Sequence, residues 1–259
     1  PVSDSIVFKT YRHVEGQKNL MDRSVASAAS SGNYIRAFGG TVTLTGKIVY
    51  AGVGIDDRSN SVTHLTGADL QGKWVMVFQE IPHIVNGDTV INPQLDNRSR
   101  FQAIMNKGAK GILTIPALNP DQYQASAKQS QRSFGERGSM TLAYRDRSGS
   151  SGGFSRGYNV IAPHLAAQLL DVDDIGMARQ ALIDDITEFS ARALDYSLTQ
   201  TPYTTTDTIQ TKNIVAFYEG ADPELKDELI VMTSHYDHLG IGEPDSTGDR
   251  IYNGADDDG

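Results

Sequence analysis

Apolar and polar residues change rhythm several times along this chain, and each change predicts an element. The first forty residues are weakly patterned, and the small polar run SVASAASSGN (24–33) predicts a loop or mobile segment. Regular order begins at TVTLTGKIVYAGVGI. There Val42 and Leu44 alternate with Thr41, Thr43 and Thr45, the period of a half-buried strand. Ile48–Tyr50 predicts a second strand, broken by Gly52 and Gly54. Trp74–Phe78 is a continuous apolar run after a glycine turn, the pattern of a strand covered on both faces. Asn86-Gly87 between two β-prone runs predicts a hairpin.

The period then lengthens. Phe101, Ile104 and Met105 share one helical face, Gly108 is a natural stop, and Ile112–Ile115 is again strand-like. Strand, helix and strand make a βαβ-like step. Residues 117–139 are polar and predict a long surface loop. YNVIAPHLAAQLL predicts a short strand and then a helix entered at Pro163. In DDIGMARQALIDDITEF, Ile175, Ala178, Leu182, Ile186 and Phe189 recur at helical spacing. Asp173 and Asp174 stand at the front, where the helix dipole favours acids. The Thr-rich stretch 192–211 predicts an extended linker, with a domain boundary near 195–205. NIVAFYEG and LIVMTS beyond it predict two strands of a new α/β unit, separated by a turn or short helical piece at ADPELKDE.

Bulk properties narrow the chemistry. The 259 residues suffice for one large domain or two smaller ones, and their hydrophobic and charged fractions are ordinary for a folded chain. A formal net charge of −9 disfavours nucleic acid or an anionic membrane as partner. No apolar run approaches the ~20 residues of a membrane span. Cysteine is absent, so disulfides and thiolate ligation are excluded and any metal must sit on His, Asp and Glu. The chain starts PVSDSIVF, without Met or leader. The expected setting is extracellular or periplasmic, with either a removed signal peptide or a truncated start.

The densest chemistry lies in TSHYDHLGIGEPDSTGDRIYNGADDDG (233–259). His235 follows an apolar strand-like run, and ligands in open α/β sheets gather beyond the carboxyl ends of strands. Asp237, two residues on, shares its side in extended chain, and a ligating imidazole usually gives its other N–H to such a carboxylate. His238, an odd step away, faces elsewhere. Asp256 begins the triplet closed by Gly259, and adjacent carboxylates repel unless solvated or neutralised by a cation. Taken alone, a histidine after a strand is more often structural, and an aspartate run more often solvated or of calcium type.

MTSHYDHLG followed by IYNGADDDG resembles the signature of the zinc aminopeptidase family that includes bacterial leucyl aminopeptidases and glutamate carboxypeptidase. The run-in TKNIVAFYEGADPELKDELIV is similar to that family too. The resemblance implies that His235 ligates one zinc, that Asp256 bridges two, and that Asp237 is the catalytic aspartate orienting His235. It also implies a cis bond from Asp256 to Asp257. IVYAGVGI, GADLQGKWVMVF, NRSRFQAIMNKGAKGILTI and LAAQLL resemble a protease-associated domain. The two resemblances cover roughly four-fifths of the chain.

The fold they imply is α/β. A protease-associated domain of mixed β-sheet or barrel with helices (40–195) is followed by the start of an α/β zinc-peptidase domain (196–259). Residues 1–39 form an N-terminal segment that the resemblance leaves open to the peptidase domain. The implied reaction is removal of N-terminal residues from a peptide substrate by water activated on two zinc ions. The family's general-base Glu and remaining ligands are expected beyond Gly259, so the chain is expected to be a fragment, inactive alone. A glutaminyl cyclase-like acyltransferase and a non-catalytic binding protein of transferrin-receptor type are the alternatives. An interaction role for 40–190 is compatible with the peptidase reading.

Overall fold

A computed structural model describes residues 5–27, 32–38, 42–130, 157–203, 210, 212–225, 227–235 and 240–251. The chain divides into two compact units, Pro1–Thr208 and Ile209–Gly259. The break falls later than the expected 195–205, and residues 5–38 belong to the first unit.

In chain order the first unit contains β1 (Ser5–Val14), β2 (Gln17–Ser27), β3 (Tyr34–Phe38), β4 (Leu44–Tyr50), β5 (Asp56–Asp57), β6 (Val62–Thr63) and β7 (Trp74–Phe78). There follow β8 (Ile84–Val85), β9 (Asp88–Thr89), α1 (Asn97–Asn106), β10 (Gly111–Ile115), α2 (Pro120–Ser130), β11 (Gly157–Ile161), α3 (Pro163–Leu170), α4 (Ile175–Asp184) and β12 (Arg192–Tyr203). Eight strands make one mixed sheet in the order β2-β1-β12-β4-β7-β10-β11-β3. Its middle, β4-β7-β10-β11, is parallel, and antiparallel strands flank it on both sides. The β7-α1-β10 step is the expected βαβ unit, with Trp74 opposite Gly111.

The sheet curls on itself. Thr10 of β1 and Tyr34 of β3, with five strands between them in the order, meet through their hydroxyls at 2.7 Å. The Phe8 and Tyr34 rings stack with centroids 4.3 Å apart. The Asn159 amide of β11 donates to Gln200 Oε1 of β12 at 2.9 Å, across the space that β4, β7 and β10 wrap around. Trp74 fills that space. A Cβ at Gly111 or Gly157 would collide with its indole, so those two glycines make room for the ring.

Alternation along the parallel strands feeds two cores. Ile48, Trp74, Met76, Phe78, Leu113 and Ile115 point into the curl, while Val49, Val75, Val77 and Ile112 pack under α1 with Ile104 and Met105. Both faces are covered, which is why these strands read as unbroken apolar runs. The α1 helix starts where Asp96 accepts the Ser99 N–H at 2.8 Å, and Gly108 leaves it with φ +83°. Asn86 and Gly87 both have positive φ, as a two-residue hairpin with this sequence requires.

Several expectations are corrected. Ile48–Tyr50 is not separate; one strand runs Leu44–Tyr50. The supposed loop 117–139 begins with helix α2, and its residues from 131 on lie outside the described ones. Asn119 and Gln122 each accept the other's backbone N–H, at 2.9 and 3.0 Å, around Pro120 in the first turn. Tyr123 and Ala127, one turn apart, bury the inner face. The supposed linker 192–211 is largely β12, a twelve-residue strand between β1 and β4. Leu194, Tyr196, Leu198 and Gln200 alternate inward along it, and Asp195, Ser197 and Thr199 between them lie on the other face. The weakly patterned N-terminal stretch carries β1 and β2, a long hairpin whose inner positions are Ile6, Phe8 and Thr10.

Among the described residues no helix is long and apolar enough to cross a membrane.

Candidate functional site

The second unit carries the candidate metal residues. The two strands expected within 213–234 are absent: residues 212–225 and 227–235 contain no regular helix or strand. Ile214, Val215, Ile230 and Met232 are each at least 85% exposed. An apolar run becomes a strand by pairing and burial on a sheet, and these runs have neither among the described residues. His235 therefore follows an exposed extended segment rather than a strand end, and is itself exposed. Asp237, His238, Asp256 and the Asp256–Asp257 bond lie outside the described residues. Among the described residues no three His, Asp or Glu side chains converge.

What the second unit does contain is ordered turn chemistry. Asp222 accepts the backbone N–H groups of Glu224 and Leu225, at 2.8 and 3.3 Å, which folds the ADPEL turn. Asp245 accepts from the Thr247 N–H, the Thr247 hydroxyl and the Asp249 N–H, all within 3.0 Å. Those donors, the Thr247 hydroxyl foremost, hold its carboxyl below the ordinary range. Gly248 completes the turn with φ +87°. Ile241 and Ile251 then pair as an antiparallel bridge, and Gly242 N–H donates to Arg250 O at 2.8 Å. The Arg250 guanidinium returns to Gly242 O at 3.1 Å. The stretch expected to be a plain connection is thus a closed loop with a stable neck. His235 stands six residues before that neck and Asp256 five after it.

Three buried polar groups of the first unit are committed to the scaffold. His64 is fully buried; its Nδ1 accepts the Val53 N–H at 3.1 Å and its Nε2–H donates to Ile186 O at 2.7 Å. Burial lowers its pKa. Arg100 gives its guanidinium to Val53 O, Phe78 O, Gln79 O and Asn97 Oδ1. Asp57 accepts from Ser59, from the Asn60 amide and from the Asn92 N–H. Burial pushes its carboxyl up, but those donors prevail and bring it down to about 2. All three side chains are almost wholly buried.

No family model matches the chain, and no curated protein does. Among solved structures it is similar to an aminopeptidase from Aneurinibacillus sp. strain AM-1, at 12% identity and a TM-score of 0.34, over 76% of this chain and 30% of that one. The chain thus spans under a third of that protein's length, and a likeness this loose carries no function.

Proposed function

We propose that this chain is part of a zinc-dependent aminopeptidase that removes N-terminal residues from peptides. In this reading the sheet of the first unit is a protease-associated domain, and the second unit is the beginning of an α/β zinc-peptidase domain. The observation that carries the proposal is the pair SHYDHLG and NGADDDG at the two ends of one loop. The neck between Ile241 and Ile251 supports it, because it shortens the path between the two motifs from the whole intervening loop to its two flanks.

The donors fit the metal. An imidazole and carboxylates without thiolates suit zinc in a catalytic role, where an open position is kept for water. His235 and Asp256 are the proposed residues that would hold zinc, and Asp237 would fix the His235 imidazole in the ligating tautomer. Bound zinc would acidify a water and polarise the scissile carbonyl. A general-base Glu and further ligands would complete such a site.

Calorimetric zinc titration of the 259-residue chain tests the reading. Weak binding is expected, and His235→Ala or Asp256→Asn should each weaken it about tenfold or more. Binding unchanged in both variants would overturn it.

A further inference from the structure

On the first unit, the outward face of β2, β1, β12 and β4 gathers positive charge in a chain whose formal net charge is −9. Arg23, Lys9, Thr199 and Thr45 stand side by side in register across these four strands. Residues directly opposite in antiparallel pairs share a face, with Cβ atoms about 5 Å apart. The next row carries Tyr11 and Lys47 on either side of Ser197. Lys18 lays its ammonium over the Tyr11 ring at 3.9 Å, and Lys110 reaches the Thr45 carbonyl from β10's edge.

Two features mark this face as more than a solvated surface. Lys9 and Arg23 are direct cross-strand partners, and like charges in that position destabilise a sheet. Lys9, Arg23 and Lys47 also pair with no carboxylate among the described residues. The nearby acids do not neutralise them. Asp22 lies on the opposite face, opposite buried Thr10, where it accepts from Ser24 and Asn33. Glu15 sits in the β1–β2 turn, and Asp195, on the same face two residues from Ser197, forms no ion pair with them among the described residues.

We propose that this face docks a short acidic polypeptide segment. Rigid strands hold the cations at fixed spacing, and beside Lys9 the Thr45 and Thr199 hydroxyls, bonded to each other at 3.1 Å, keep further hydrogen-bonding capacity for the segment's backbone. A short peptide covers only the positive face, whereas a nucleic acid would run on over a chain of opposite overall sign. This inference concerns the first unit and does not rest on the zinc reading.

Fluorescence anisotropy with a fluorescein-labelled octaglutamate peptide and the full chain tests it. Saturable binding that weakens with salt is expected. Lys9→Gln combined with Arg23→Gln should weaken it about five- to tenfold. The same pair relieves the like-charge opposition, so its Tm should hold or rise, which separates lost binding from lost folding. Lys107→Gln, after α1, should leave binding unchanged. Equal affinity in the double variant would overturn the proposal, and so would tighter binding of a single-stranded DNA 30-mer at the same ionic strength.

Discussion

Two unbroken apolar runs meet opposite fates in this molecule. WVMVF (74–78) is β7, with every residue at most 2% exposed, while LIVM (229–232) is at least 71% exposed throughout. Both have the β-prone, unbroken pattern of a strand covered on two faces. What separates them is company. The first has β4 and β10 hydrogen-bonded on either side, the Trp74 core on one face and the α1 core on the other. The second has no such neighbours among the described residues. The apolar run states what a strand can become, and its neighbours decide whether it does.

The contrast is broken most sharply at Trp74. Its indole fills the curl of the sheet against Gly46, Gly111 and Gly157, which have no side chains to collapse into the space it would leave. Trp74→Ala should cost about 3–5 kcal/mol, read as a large drop in the urea midpoint of the first unit.

Arg100 comes next. Its charge is buried but solvated by three backbone carbonyls and Asn97, and it ties α1 to the ends of the sheet at Val53, Phe78 and Gln79. Arg100→Met keeps most of the volume and strands those acceptors. A loss of about 3 kcal/mol is expected in the same denaturation experiment.

Two buried groups give the first unit a pH signature. His64 is neutral in the fold with its pKa depressed below 6.5, so the unfolded chain takes up a proton there first. The stability this group contributes is complete above 6.5 and erodes as the pH falls below it. Asp57 is depressed from 3.8 to about 2, so its contribution is complete above 3.8 and is lost as the pH falls through 2. The urea midpoint should therefore decline in two stages on acidification. Asp57→Ala should remove the lower stage, keep the upper one, and cost about 2 kcal/mol at neutral pH.

Much of the parallel centre was legible because burial on both faces leaves a continuous apolar run, and because Gly108, Asn86-Gly87 and Pro163 punctuate it at the right places. β12 was hidden by its threonines. They lie on its outward half with Asp195 and Ser197, and the inward half includes Gln200, a buried amide whose Oε1 accepts from Asn159 across the curl. No local pattern announces a polar group whose partner is 41 residues away. α2 was hidden for the opposite reason: its core face is only Tyr123 and Ala127, and the real signal was the reciprocal Asn119–Gln122 cap. Of the candidate site, the motifs were legible by residue type, whereas the strands drawn beneath them needed a sheet that the pattern of 213–234 cannot supply by itself.

The smallest expected effect completes the contrast with Trp74. Ile230 is 96% exposed, so removing its side chain uncovers no cavity and takes no apolar area from a core. Ile230→Ser should change the stability of this chain, read from its urea denaturation, by less than about 0.5 kcal/mol. A loss approaching that of Trp74→Ala would mean that LIVM is packed as a strand in solution, and the distinction between the two runs would fall.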